Sequence, residues 1–263
     1  MSQILQLHSK IVNPSSYIVD IGASAGTESD PVWEFVTNEK YRGLCIEGLD
    51  WKVAELKTKT KFDIYNGYIT PDNALELFKK YDVPINLDIL KIDIDGYDLE
   101  VLRTILRVYK PRIIIAEINE KIPPPILFEV NYSETYKWDE SHFFGFSIQS
   151  GEAVMNIFGY KILNVYDLIN ILCIDESLCD AIGCSKINDV ASLYKKEYVD
   201  NPERNIWYNE DVNHWLDILD ADELQHDICR YFCASNPRSL FSNKIKTKDL
   251  DFTIGIQGIQ QSP

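Results

Sequence analysis

Short apolar runs alternate with segments of helical periodicity along the first two thirds of the chain, and most of the runs close in polar or acidic residues. The run at 85–90, INLDIL, leads directly into KIDIDGYD at 91–98. A short apolar run bounded by turn signals predicts a strand covered on both faces. Runs at 17–26, 41–48, 61–69 and 112–119 predict four more strands, and 160–166 with 170–174 predict an antiparallel hairpin that closes the sheet. Helical spacing is read at 3–12 (Ile4, Leu7, Ile11), 31–39, 99–109 and 148–158, and Thr70-Pro71 before Ala74 predicts a helix capped by Thr70. The pattern predicts an α/β fold: a Rossmann-like, doubly wound, mostly parallel seven-stranded sheet with a terminal antiparallel hairpin. Beyond 184 the pattern changes, so residues 1–184 are expected to form the main domain and 185–263 a mainly helical C-terminal appendage.

In doubly wound sheets ligands sit beyond the carboxyl ends of the strands. Asp93 and Asp95, two apart, would share a face if the strand persisted that far, with Gly96 bending the chain into the next helix. Asp95 or Asp98 could instead cap that helix. Gly22-Ala23-Ser24-Ala25-Gly26 follows the first strand as a small-residue turn that lets backbone approach a ligand, although it is not GxGxxG. Glu47 ends the second strand about twenty residues on, where a carboxylate would meet ribose hydroxyls. Tyr68 and Ile69 would flank a flat base. Glu117 and Asn119 share a face at the end of the fifth strand, so two strands deliver Asp93, Asp95, Glu117 and Asn119 to one edge. The segment 121–147 reads as a long irregular stretch rich in proline and aromatics, the best candidate for substrate recognition. Within it His142 is either a general base or a packed loop histidine.

The formal net charge of −15 and the absence of a long basic run exclude a grip on a nucleic-acid backbone. No apolar run reaches the length of a membrane span, and MSQILQLHSK lacks a signal-peptide pattern, so a cytoplasmic setting is expected. The six cysteines (45, 173, 179, 184, 229 and 233) form no CxxC pair and read as reduced thiols. His226, Cys229 and Cys233 could share a helical face, as zinc ligands or as ordinary packing. A homo-oligomer remains open.

IVDIGASAG, the Glu47 strand end, LKIDIDGYD, IIIAEIN and HFFGFS together resemble the class I S-adenosylmethionine-dependent methyltransferases, and within them the FkbM-like group, over roughly 17–175. The resemblance implies O-methyl transfer to a hydroxyl of a sugar, glycan or related polyol. It implies that Asp20, Gly22, Ala23, Ser24 and Gly26 hold the methionine end of S-adenosylmethionine, Glu47 its ribose, and that Asp93 faces the transferring methyl group. It also implies a divalent cation, magnesium or manganese, on Asp93, Glu117 and Asn119, with Asp95 or His142 taking the acceptor's proton. An NAD(P)- or nucleotide-sugar-dependent oxidoreductase would want the full glycine set and a Tyr-xxx-Lys pair; a non-catalytic scaffold would have lost the cofactor.

Overall fold

The computed structural model describes residues 3–183, 189–204, 210–233 and 251–257. Cys184 and the stretch 205–209, part of the polar tail read from the sequence, lie outside them. Seven strands form one sheet: β1 Tyr17–Ile21, β2 Arg42–Glu47, β3 Asp63–Asn66, β4 Ile89–Ile92, β5 Ile113–Glu117, β7 Tyr160–Tyr166 and β8 Asn170–Asp175, in the order β3-β2-β1-β4-β5-β8-β7. β6 Ile126–Val130 and β9 Phe252–Ile256 make a separate antiparallel pair. The helices are α1 Gln3–His8, α2 Trp33–Val36, α3 Asp50–Leu56, α4 Ala74–Lys80, α5 Asp98–Leu106, α6 Ile148–Phe158, α7 Cys179–Ile182, α8 Val190–Tyr194 and α9 Ala221–Cys233.

β1 to β5 run parallel, β8 turns antiparallel against β5, and β7 returns on β8. The doubly wound sheet with its terminal hairpin is therefore as the alternation predicts. β1 lies between β2 and β4, with Ile18 opposite Gly43 on one side and Ile89 on the other. Every residue of β1 and β4 is buried. Helices cover both faces, which is why these strands read as continuous apolar runs rather than as alternation. The chain order reverses between β1 and β4, so the ends of these two strands open the crevice where such sheets bind ligands.

Several boundaries differ from the sequence reading. The run at 85–90 is strand only from Ile89: Ile85 is exposed, and the wholly buried Asp88 accepts hydrogen bonds from the backbone N–H groups of Ser15 and Ser16 and pairs with His8 at 2.9 Å, pinning α1 to the sheet. Thr70 does not cap α4. It exchanges hydrogen bonds with Asn73 in a turn, and the helix begins at Ala74. α6 has the expected punctuation, with the Ser147 side chain accepting from Ser150 N–H and Gly159 left-handed at its end.

The segment 121–147 is not irregular throughout, because β6 lies inside it, and the C-terminal part is not wholly helical, because β9 pairs with β6. Phe128 and Phe143 share a core with Trp215, Phe232 and Ile256, while Leu193, Tyr194 and Tyr198 join the main sheet's core. The described residues beyond 185 thus pack into both. No helix among the described residues is long and apolar enough to cross a membrane.

Candidate active site

A cavity of about 500 Å³ opens over the carboxyl ends of β1, β2, β4 and β5. One rim is the loop after β1. Gly22 and Ala23 donate backbone N–H to the Ile46 carbonyl, which folds the loop back over β2. Gly22 is left-handed (φ +77°), and a Cβ there would sit 1.7 Å from the Asp93 carbonyl oxygen. Only glycine lets β1 and β4 end in such close contact. Ser24 is also left-handed, at φ +51°. Glu47, buried at the end of β2, braces this rim: one carboxylate oxygen accepts from Ser24 N–H at 2.9 Å and the other from Leu49 N–H at 2.8 Å. Each oxygen retains a lone pair for a ligand hydroxyl. Tyr68 covers Gly48, whose Cβ would fall 2.5 Å from the ring, and the buried Ile69 lines the wall behind it.

Beneath the loop lies a group the pattern did not single out. Lys91, 2% exposed in the middle of β4, donates to the Gly22 carbonyl at 3.0 Å and stands 3.5 Å from Asp20, 3.3 Å from Asp30 and 3.5 Å from Asp93. Burial works against the ammonium, but the carboxylates of Asp93, Asp30 and Asp20 hold its pKa well above the ordinary lysine value. One cation cannot neutralise three acids. Asp20 shows the imbalance: burial, and then Asp30, push it up to about 8 against the pull of Lys91. Asp20 is therefore an acid under the loop, paired with lysine, and does not line the cavity. The signal was available, since a lysine inside an apolar strand is buried only when paired.

On the opposite rim are the acids. Strand β4 ends at Ile92, so Asp93 and Asp95 do not share a strand face; the chain turns through Asp95 in the left-handed region (φ +54°). The turn nevertheless brings one carboxylate oxygen each from Asp93, Asp95 and Glu117 within 4.8 Å of one another, and all three residues line the cavity. Burial first, and then Asp93, raise Asp95 to about 6, and the same two causes raise Glu117 well above the usual range. Glu117 Oε2 is buried without a hydrogen-bond partner. Neither Asp95 nor Asp98 caps α5: Tyr97 occupies the cap position, and the Asp98 carboxylate reaches back to accept from Ile94 N–H at 2.7 Å and Gly96 N–H at 2.9 Å.

Two sequence candidates are placed elsewhere. Asn119 lies two residues past β5, wholly buried, and its amide donates to the carbonyls of His142 and Phe144 at 2.7 and 3.1 Å. Alternation fails once the strand has ended, so Asn119 organises the wall, its Oδ1 buried without a partner, and Asp95 is the residue that joins Asp93 and Glu117 at the cavity. His142 is 1% exposed and pairs through Nε2 with Asp211 at 2.9 Å, tied in turn to the Tyr231 hydroxyl at 2.7 Å. It is the packed loop histidine, joining this segment to the C-terminal part, and it does not face the cavity. Tyr136, Lys137 and Trp138 close the cavity from the segment that follows β6, and Lys52 lines it from α3. His226, Cys229 and Cys233 form no metal-binding cluster; among the described residues the one such group is Asp93, Asp95 and Glu117.

A switch-point cavity with a braced glycine loop, a strand-end glutamate and an acidic cluster is the ligand site of a Rossmann-like, doubly wound fold. Residues 57–157 match the family described as the Methyltransferase FkbM domain. The match spans the acidic cluster and the wall around Tyr136 but begins after the glycine loop and Glu47. No curated protein matches the chain. Among solved structures it is similar to a fibrillarin pre-rRNA processing protein of Methanococcus jannaschii, at 16% identity and a TM-score of 0.42, over 66% of this chain and 75% of that one. A fibrillarin of Aeropyrum pernix with bound S-adenosyl-L-methionine shares 12% identity, with a TM-score of 0.42 over 65% and 74%. An amino pentose methyltransferase of Micromonospora echinaspora involved in calicheamicin biosynthesis shares 8%, with a TM-score of 0.39 over 65% and 88%.

Proposed function

We propose that this protein transfers a methyl group from S-adenosylmethionine to a hydroxyl of a small sugar, glycan or related polyol, with a divalent cation assisting. The observation that carries the reading is the convergence of Asp93, Asp95 and Glu117 on the cavity that the Gly22 loop and Glu47 also border. The residues fit the cofactor: the cavity volume is that of a small-molecule site, and Glu47 keeps acceptor capacity for two ribose hydroxyls. Gly22 and Ser24 would take its amino-acid end and Tyr68 with Ile69 its base, while Ala23 and Gly26, buried and outside the cavity lining, shape the loop. Bound there, the cofactor supplies an activated methyl group for in-line displacement.

The donor set also fits a hard cation. Three carboxylates crowd together, and the partnerless oxygen of Glu117 lacks the positive charge that magnesium or manganese would bring. Asp93 and Glu117 would hold it. A sugar hydroxyl is a weak acid, so the remaining tasks are orientation and removal of its proton. Asp95, the third carboxylate, is positioned to take that proton, and Tyr136 and Trp138 give the sugar ring an apolar face. His142, paired behind the wall, is no longer a candidate base.

Calorimetric titration with S-adenosylhomocysteine, with and without manganese, tests the reading. Micromolar binding that survives in Glu117→Gln while the manganese response is lost is the expected result. A folded protein that ignores the ligand would leave the fold as a scaffold only.

A further inference from the structure

Asp95 reaches the acidic cluster only because its backbone is held in a left-handed conformation that a non-glycine residue adopts at a cost (φ +54°). Both flanking amides of that turn, Ile94 N–H and Gly96 N–H, are held from below by the buried Asp98 carboxylate. From above, the carbonyls are held by the segment that walls the cavity: the Tyr136 hydroxyl lies 2.9 Å from the Asp95 carbonyl oxygen, and Gly145 N–H donates to the Gly96 carbonyl at 2.8 Å. The same hydroxyl stands 2.9 Å from the Phe143 carbonyl, so its single proton is shared between the turn and the wall. Contact is tight as well as polar. A Cβ on Gly96 would meet the Tyr136 ring at 2.7 Å.

We propose that Tyr136 is a positioning residue for Asp95: through its hydroxyl and its ring, the wall segment fixes the Asp95 turn, and the acidic cluster is complete only when that segment is seated. The proposal rests on the reading of this cavity as the methyl-transfer site for its consequence, not for its geometry. Tyr136 lines the cavity with its neighbour Trp138, so whatever packs against this wall bears on the residue that places Asp95. Burial, with the Asp98 and Asp95 carboxylates behind it, pushes the tyrosine's pKa far above its ordinary value, so the hydroxyl stays a donor at every working pH.

The test is Tyr136→Phe, which removes the hydroxyl and keeps the ring, read first by hydrogen exchange of the peptide covering 93–98 in the full chain. Loss of one hydrogen bond of ordinary net strength should speed exchange of the Ile94 and Gly96 amides about threefold to tenfold. Affinity for S-adenosylhomocysteine should stay within about twofold, since the Gly22 loop and Glu47 are untouched. Gly96→Ala is the second variant: it displaces the ring rather than the hydroxyl and should loosen the same amides. A double variant should show less than the sum of the two single effects, because both loosen the seat of one side chain on one turn. Unchanged exchange at 93–98 in both single variants overturns the proposal. Failure of the wild-type protein to bind S-adenosylhomocysteine would instead sink the methyltransferase reading, and the exchange comparison would still decide the role of Tyr136.

Discussion

The two rims of the cavity are built by different means. The Gly22 rim is held by strand ends in register: Gly22 and Ala23 bond to Ile46, Glu47 braces Ser24, and Lys91 ties the loop to β4 from inside the sheet. The Tyr136 rim is held by scattered single bonds: Gly145 N–H on the Gly96 carbonyl and Asn119 N–H on that of Phe146, with the side chains of Tyr136 on Asp95, Asn119 on His142 and Phe144, and His142 on Asp211. A rim fixed by backbone pairing resists rearrangement, because a change moves a whole ladder. One fixed by single hydrogen bonds can be loosened one bond at a time. That division suits a site whose one ligand is constant and whose other must be selected.

The comparison breaks hardest at Lys91. Lys91→Met strands Asp20, Asp30 and Asp93 without their cation and should lower stability by about 3–5 kcal/mol, measured by urea unfolding. Gly22→Ala should follow, at about 2–3 kcal/mol, because the new methyl group drives β1 away from the Asp93 carbonyl and φ stays positive; S-adenosylhomocysteine affinity should fall with it in calorimetry. Glu47→Ala should weaken that affinity by roughly tenfold to a hundredfold, the worth of hydrogen bonds to a charged group, and should cost about 1–3 kcal/mol in fold for the unpaired Ser24 and Leu49 amides. Unchanged affinity in a folded variant would remove its place at the ribose.

A pH titration sharpens the contrast further. Burial, opposed by its hydrogen bond from Ile94, lifts Asp98 from 3.8 to about 7. The folded protein therefore keeps a proton that the unfolded chain has already released. This contribution is complete below pH 3.8 and is lost as pH climbs through 7, so the thermal midpoint should fall across that window and fall less steeply in Asp98→Asn. The smallest effect belongs to the outer tie: His142→Asn should cost about 1 kcal/mol in unfolding and leave S-adenosylhomocysteine binding unchanged.

The same division explains what the sequence disclosed. The strand–helix alternation, the glycine loop, Glu47 and the acids at the ends of β4 and β5 are legible because they hang on apolar runs whose ends can be read by period and turn chemistry. Asn119 misled because period 2 was carried two residues past the end of β5, and Asp95 joined the cluster by a left-handed turn, not by strand alternation. β6 was hidden because its partner lies in the tail, and no local pattern announces a pairing across the chain. Lys91 was visible but unexplained until Asp30 came into place beside it, from a loop with no periodicity of its own.

The pairing of Phe128 with Ile254 joins positions more than a hundred residues apart. Contacts of such separation close late, since the loop between them must be gathered first. During synthesis the parallel sheet through β5 can collapse while β9 is still unmade, so the half of the cavity around Gly22 has its partners early. The wall around Tyr136 shares its core with β9 and α9, and it waits for the far end of the chain. On the proposed reading, the cofactor's half of the cavity is assembled before the acceptor's half.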